Sequence, residues 1–296
     1  MADYRKFWLV NSKNETFEFT DNMKSKVFLN NPSGLGFRKI IKTEKVGNSK
    51  LVTTQEFDLI PIEGELCFHG DTNGLRYEDY WKFVQFIKYS PITFYYQTPN
   101  TLTSYYCEVL ITRLDKSEVS YSDSILRCPI TFERLTEWIV GNAHNIIMDN
   151  TPIGDGKYYN YKYDYSYAGT NLSNTSIYNN GTDDVGFVLT VEGEVQNPQF
   201  SLSQNGNVYG ICKINGTYDF VQIDSVEKTE SIYLELNGSS IANPERYQDF
   251  TIADGQSYLT WIKLKVGESI FAFTCGNIET FTGSVKISFK DSYATV

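Results

Sequence analysis

A chain of 296 residues with 41% apolar and 15% aromatic side chains can bury two cores without metal or disulfide staples, and it is too apolar to be disordered. No apolar run approaches the roughly 20 residues of a membrane helix, and the opening Met-Ala-Asp-Tyr-Arg-Lys lacks the apolar core of a signal peptide. A soluble chain that is not exported by that route is expected. The net charge of −10 is uneven. Residues 1–138 hold 17 Lys and Arg against 18 Asp and Glu, and residues 139–296 hold 9 against 18. A near-neutral first half can pack against copies of itself, whereas an acidic second half argues against binding nucleic acid or an anionic membrane.

In chain order, Phe7-Trp-Leu-Val10 and Phe17-Glu-Phe19 flank the polar connector Asn11–Glu15, so a β-hairpin opens the chain. Asn31-Pro-Ser-Gly-Leu-Gly36 is turn chemistry. The segment Phe37–Lys50 has aliphatic and charged residues but weak periodicity, as in a loop or an arm packed on something outside its own domain. Its basic residues Arg38, Lys39, Lys42, Lys45 and Lys50 are broken by Glu44 and Gly47 and read as a solvated loop rather than a polyanion site. Strand-like residues resume at Leu51–Ile60 and Gly64–Phe68.

The stretch from Arg76 to Glu137 organises the rest. Tyr77, Tyr80, Trp81, Val84 and Ile87 recur at three- and four-residue steps, which predicts an amphipathic helix with those side chains in the core, stopped before Pro91. Ile92–Gln97, Tyr105–Arg113 and Ile125–Arg134 then alternate as strands. One helix laid against a sheet is the expected first domain.

The order of these pieces resembles the distal tail proteins of siphophages that infect Gram-positive bacteria. The hairpin, the Pro-Ser-Gly-Leu-Gly turn, the Tyr-x-x-Tyr-x-x-Phe-x-x-Phe-Ile helix, the strand ending Phe-Tyr-Tyr and the closing Pro129-Ile-Thr-Phe-Glu-Arg-Leu-Thr-Glu-Trp138 carry the resemblance. It implies a ring-forming N-terminal β-sandwich over residues 1–138, six copies to a ring at the end of the tail tube. It also implies an inter-subunit arm, for which Phe37, Arg38, Lys39, Ile40, Ile41 and Lys42 are the candidates. The implied partners are further copies of the chain, the tail tube protein, a tail-tip protein and receptor-binding proteins. The implied location is the virion tail tip or baseplate, after assembly in the host cytoplasm.

Residues 139–157, punctuated by Gly141, Pro152, Gly154 and Gly156, read as a linker. Tyr159, Tyr161, Tyr163, Tyr165 and Tyr167 then alternate with polar residues as one face of a strand. Short strands recur between turns to the end of the chain, which predicts an all-β sandwich or jelly roll over 158–296. This half resembles, more loosely, the family's galectin-like or carbohydrate-module-like second domain. Beyond His144, Arg246 and Trp261 it has no further His, Arg or Trp, which departs from a galectin sugar site. A host cell-wall saccharide is the alternative partner, with Tyr159, Tyr161, Tyr163, Tyr165 and Trp261 as the contacts, since rings with a polar tip suit sugars as well as packed interfaces.

Chemistry has few candidates. Glu192 and Glu194 lie two apart on a strand, with Val191, Gly193 and Val195 expected inward; both carboxylates would then point to solvent, unlike a catalytic pair. Asn179–Asp184 offers oxygen ligands for calcium but reads more simply as a turn. Two histidines, His69 and His144, lie near no nucleophile signature, and no phosphate or dinucleotide loop is present. Cys67, Cys107, Cys128, Cys212 and Cys275 are odd in number and widely spaced, as expected of buried reduced thiols without zinc. Six Asn-x-Ser/Thr matches, at Asn14, Asn171, Asn174, Asn180, Asn215 and Asn237, follow from an Asn- and Thr-rich composition. No enzyme, metal or cofactor is expected.

Overall fold

The computed structural model describes residues 5–20, 26–69, 73–98, 103–118, 124–141, 143–149, 174–241 and 261–295. The chain divides into one unit of residues 1–142 with 292–296 and a second of residues 143–291. Among the described residues it is mostly strand, with one helix.

The first unit begins with the expected hairpin, β1 (Lys6–Val10) and β2 (Thr16–Thr20), followed by β3 (Val27–Ser33). Next come β4 (Arg38–Val46), β5 (Ser49–Asp58), β6 (Ile62–His69) and the helix α1 (Asn73–Phe86). β7 (Ile92–Gln97), β8 (Ser104–Leu114), β9 (Ile125–Arg134) and β10 (Trp138–Val140) complete the run. Antiparallel pairs run from β2 through β1, β7, β8, β9 and β6 to β3, and a single parallel pair, Thr20 with Phe28, joins β3 back to β2. The sheet therefore closes on itself, which removes most open edges.

Period two decides what fills it. Phe7 and Leu9 of β1, Phe94 of β7 and Ile130 and Phe132 of β9 are all buried, while their neighbours are half-exposed or exposed. The helix meets this core through Tyr80, Phe83 and Phe86, with the Phe83 ring 5.0 Å from that of Phe17 and 6.4 Å from that of Phe68. Trp81, expected inward, is 57% exposed, and Tyr77, Val84 and Ile87 are half-buried. The buried stripe runs through Arg76, Tyr80, Phe83 and Phe86, and Trp81 sits about 100° further round. The helix stops at Phe86, and tight turns carry the chain to Pro91. The carbonyl of Phe86, beyond the last helical bond, accepts from the backbone of Tyr89 at 3.4 Å and from the amide of buried Asn11 at 3.3 Å. The Asn11 side-chain oxygen in turn accepts from the backbone of Lys13 and Glu15, so the first hairpin loop caps the helix.

The second unit holds two sheets. β11 (His144–Asp149), β12 (Thr175–Asn179), β13 (Phe187–Gln196), β14 (Gln199–Gln204) and β15 (Asn207–Lys213) lead to β16 (Thr217–Asp224), β17 (Ser231–Leu236), β18 (Ser239–Ser240), β19 (Gly267–Thr274) and β20 (Ser284–Phe289). One sheet has the order β11-β20-β13-β16-β17-β18 and the other β12-β19-β14-β15. Phe187, Leu189 and Val191 of the first and Phe200, Leu202 and Phe271 of the second share one core, as a β-sandwich requires.

Two boundaries differ from expectation. Residues 139–157, read as a linker, include most of β10, which pairs with β8 in the first unit, and β11, which pairs with β20 in the second. Punctuating glycines and a proline gave no sign of the partners. The chain also ends where it began. β21 (Ser292–Tyr293) pairs with β10, and Tyr293 packs edge-on against Tyr105 with ring centres 5.9 Å apart. A strand of two residues carries no readable period.

Candidate functional site: the arm hairpin and its root

β4 and β5 pair only with each other among the described residues. The candidate arm residues Phe37 to Lys42 thus open a two-stranded ribbon, and Leu51–Ile60, read as an ordinary strand, supplies its return. The ribbon is exposed along β4, and its apolar side chains reach water from both faces. Ile40, Val46 and Leu51 line one face, Ile41, Val52 and Phe57 the other. An isolated two-stranded ribbon is marginal in water, and one with bare edges and apolar faces is a template for another chain. Along the ribbon the Thr53 hydroxyl donates to the Lys42 carbonyl at 3.2 Å, and side chains meet one another at the root. Phe57 meets Phe37 edge-on at 5.5 Å, Lys39 lies over the Phe57 ring at 5.1 Å, and Arg38 forms an ion pair with Asp58. With five Lys and Arg against three acidic residues between 38 and 58, the ribbon is cationic in an anionic chain.

The root itself is tightly made. Gly34, at φ +79°, approaches so closely that a Cβ on it would lie 1.9 Å from the carbonyl oxygen of Pro61. The Thr295 hydroxyl donates to the carbonyl of Leu35 at 3.4 Å. Arg134 Nε donates to the carbonyl of Ile60 at 3.1 Å.

The other candidates are dispersed. Tyr159, Tyr161, Tyr163, Tyr165 and Arg246 lie outside the described residues. Trp261 is half-buried and packs against the second core. Glu192 and Glu194 are exposed, at a bulge between β13 and β16. Gly193, expected inward, is exposed as well and takes φ +103°, because the extra residue of a bulge breaks the alternation. In the Asn179–Asp184 turn, the Asn179 amide donates to the carbonyls of Asp183 and Leu264, and the carboxylates of Asp183 and Asp184 accept from backbone N–H groups. Those oxygens are used in holding the turn. His144 stacks on Phe289 at 4.7 Å and shares a 2.8 Å hydrogen bond with buried Asp291, joining the two ends of the second unit.

All five cysteines are free and buried. Burial pushes the thiols of Cys67 and Cys107 up to about 12 and that of Cys128 to about 11, away from any nucleophilic role. Among the described residues, no group of His, Cys, Asp and Glu is placed to hold a metal, and no helix is long and apolar enough to cross a membrane.

A closed β-sheet with one packed helix, an exposed ribbon and a separate sandwich defines a two-unit protein that presents surfaces. Residues 6–135 match the family described as the distal tail protein, N-terminal domain. That match spans most of the first unit. The fold as a whole is similar to a chain of the phage P2 baseplate in its activated conformation, solved with calcium and with strontium. Each match has a TM-score of 0.57 and 17% identity over 99% of both chains. It is also similar to the Dit (gp 19.1) protein of SPP1, described as a hub of the adsorption apparatus in phages infecting Gram-positive bacteria. There the TM-score is 0.62, at 10% identity over 96% of this chain and 98% of that one. No curated protein matches the chain.

Proposed function

We propose that this protein is the hub subunit at the distal end of a phage tail. Six copies close into a ring through the first unit, each arm lies on the neighbouring copy, and the second unit docks the tail-tip or receptor-binding proteins. The observation that carries this reading is the ribbon of β4 and β5, whose bare edges and apolar faces need a surface outside their own unit. A second copy is the simplest supplier. The first half of the chain is near-neutral, so copies of it can meet without strong repulsion, while the cationic ribbon finds acidic groups on every copy. A closed ring also satisfies every copy's arm, because head-to-tail contacts that close leave no end exposed.

Light scattering over a concentration series, with negative-stain images of the largest species, tests it. Rings near six times 33.9 kDa, roughly 200 kDa, are expected. Replacing residues 38–58 by a short Gly-Ser linker should leave a folded monomer with the circular dichroism of a β-protein. A deletion variant that still closes rings would overturn the arm's role.

A further inference from the structure

Alternation along β9 buries Cys128, Ile130 and Phe132, and the next inward position is Arg134, which is 4% exposed. A guanidinium on the inner face of a sheet is costly unless it is held. This one makes a single hydrogen bond. Neither Nη1 nor Nη2 has a partner among the described residues, and the charge lies over the Trp138 ring at 5.6 Å. Burial pushes its pKa down, while Cys107, Glu137 and Asp58 act in the opposite sense.

Its one acceptor is the carbonyl of Ile60, between the end of β5 at Asp58 and the start of β6 at Ile62. From outside inward, exposed Arg38, Asp58 and buried Arg134 form a plus-minus-plus series across the root of the ribbon. The entering strand is fixed too, by the Gly34 contact with Pro61 and by Thr295 on Leu35.

We propose that Arg134 is the positioning residue of the arm: the buried guanidinium grips the exit of the ribbon through the Ile60 carbonyl, so that the arm leaves the sheet in one direction instead of swinging. A donor that reaches the Ile60 carbonyl, rather than packing volume, is what this role asks of the position. The importance of that direction for ring closure rests on the proposed function; the direction itself does not.

The test places nitroxide labels at Lys45→Cys on the ribbon and Lys88→Cys beyond α1, the five native thiols being buried. Labelled chains are diluted with unlabelled ones so that only distances within a chain are read, in rings or monomers alike. Arg134→Met keeps the length and removes the grip. Its distance distribution should roughly double in width, as a locally released segment does, with a melting temperature unchanged or raised because an apolar isostere replaces a buried charge. Arg134→Lys, which keeps one donor, should narrow it again. A parental distribution in Arg134→Met, whatever its melting temperature, would overturn the proposal and leave Arg134 as core support. If that variant does not fold, Arg134→Leu, which also lacks a donor, is read by the same criterion.

Discussion

At single positions, the sharpest constraints are backbone approaches. A Cβ on Gly283 would lie 1.8 Å from the carbonyl oxygen of Glu192 and 2.6 Å from the Phe281 ring, so β13 and the turn before β20 meet there with no room for a methyl group. Gly36 has nothing within 4 Å of its would-be Cβ and no left-handed φ. Gly283→Ala should therefore cost about 2 kcal/mol or more, as overpacking does, while Gly36→Ala should fall within about 0.5 kcal/mol. Urea titration of the two variants checks this, and equal stabilities would mean that the backbone yields at Gly283. Both are glycines beside turn residues in the sequence. Only the approach of a strand some 90 residues away distinguishes them, and such proximity leaves no local trace.

At the scale of the element, α1 shows how far periodicity reaches. Spacing was enough to place a helix before Pro91, and the structure has one. It was not enough to choose the buried face, because aromatics occupy Tyr77, Tyr80, Trp81, Phe83 and Phe86 all round the cylinder. The core took Phe83, fully buried, and left Trp81 out. Phe83→Ala should cost about 3–5 kcal/mol by opening a cavity, and Trp81→Ala within about 0.5 kcal/mol if the helix surface is free. Thermal denaturation of the pair decides, and a Trp81 loss near that of Phe83 would mean that this face is covered by another chain. The ribbon is the complementary case. Its weak pattern from Phe37 to Lys50 marked a segment without a core of its own, but β5 alternated like any strand and gave no hint that it pairs with β4 alone.

For the molecule as a whole, the division into units is not a division of the sequence into two runs. Residues 292–296 belong to the first unit, through β21 on β10, Tyr293 on Tyr105, buried Ala294 and Thr295 on Leu35. Ending the chain after Asp291 should remove about 1–3 kcal/mol from the first unit and leave the second intact. Calorimetry would show one transition lowered and the other in place. A chain truncated there with both transitions unchanged would show the return strand to be dispensable.

The sequence by itself determined the β character of both halves, the opening hairpin, the existence of the helix, the buried thiols and the family resemblance of the first domain. Each depends on residue type at short spacing, which the chain writes locally. The tertiary structure alone decided that β10 and β11 belong to different sheets, that the terminus returns to its origin, that the ribbon stands apart, and that Arg134 lies beneath its root. These depend on which distant segment comes to lie opposite, and strand pairing joins residues by backbone groups that every residue carries.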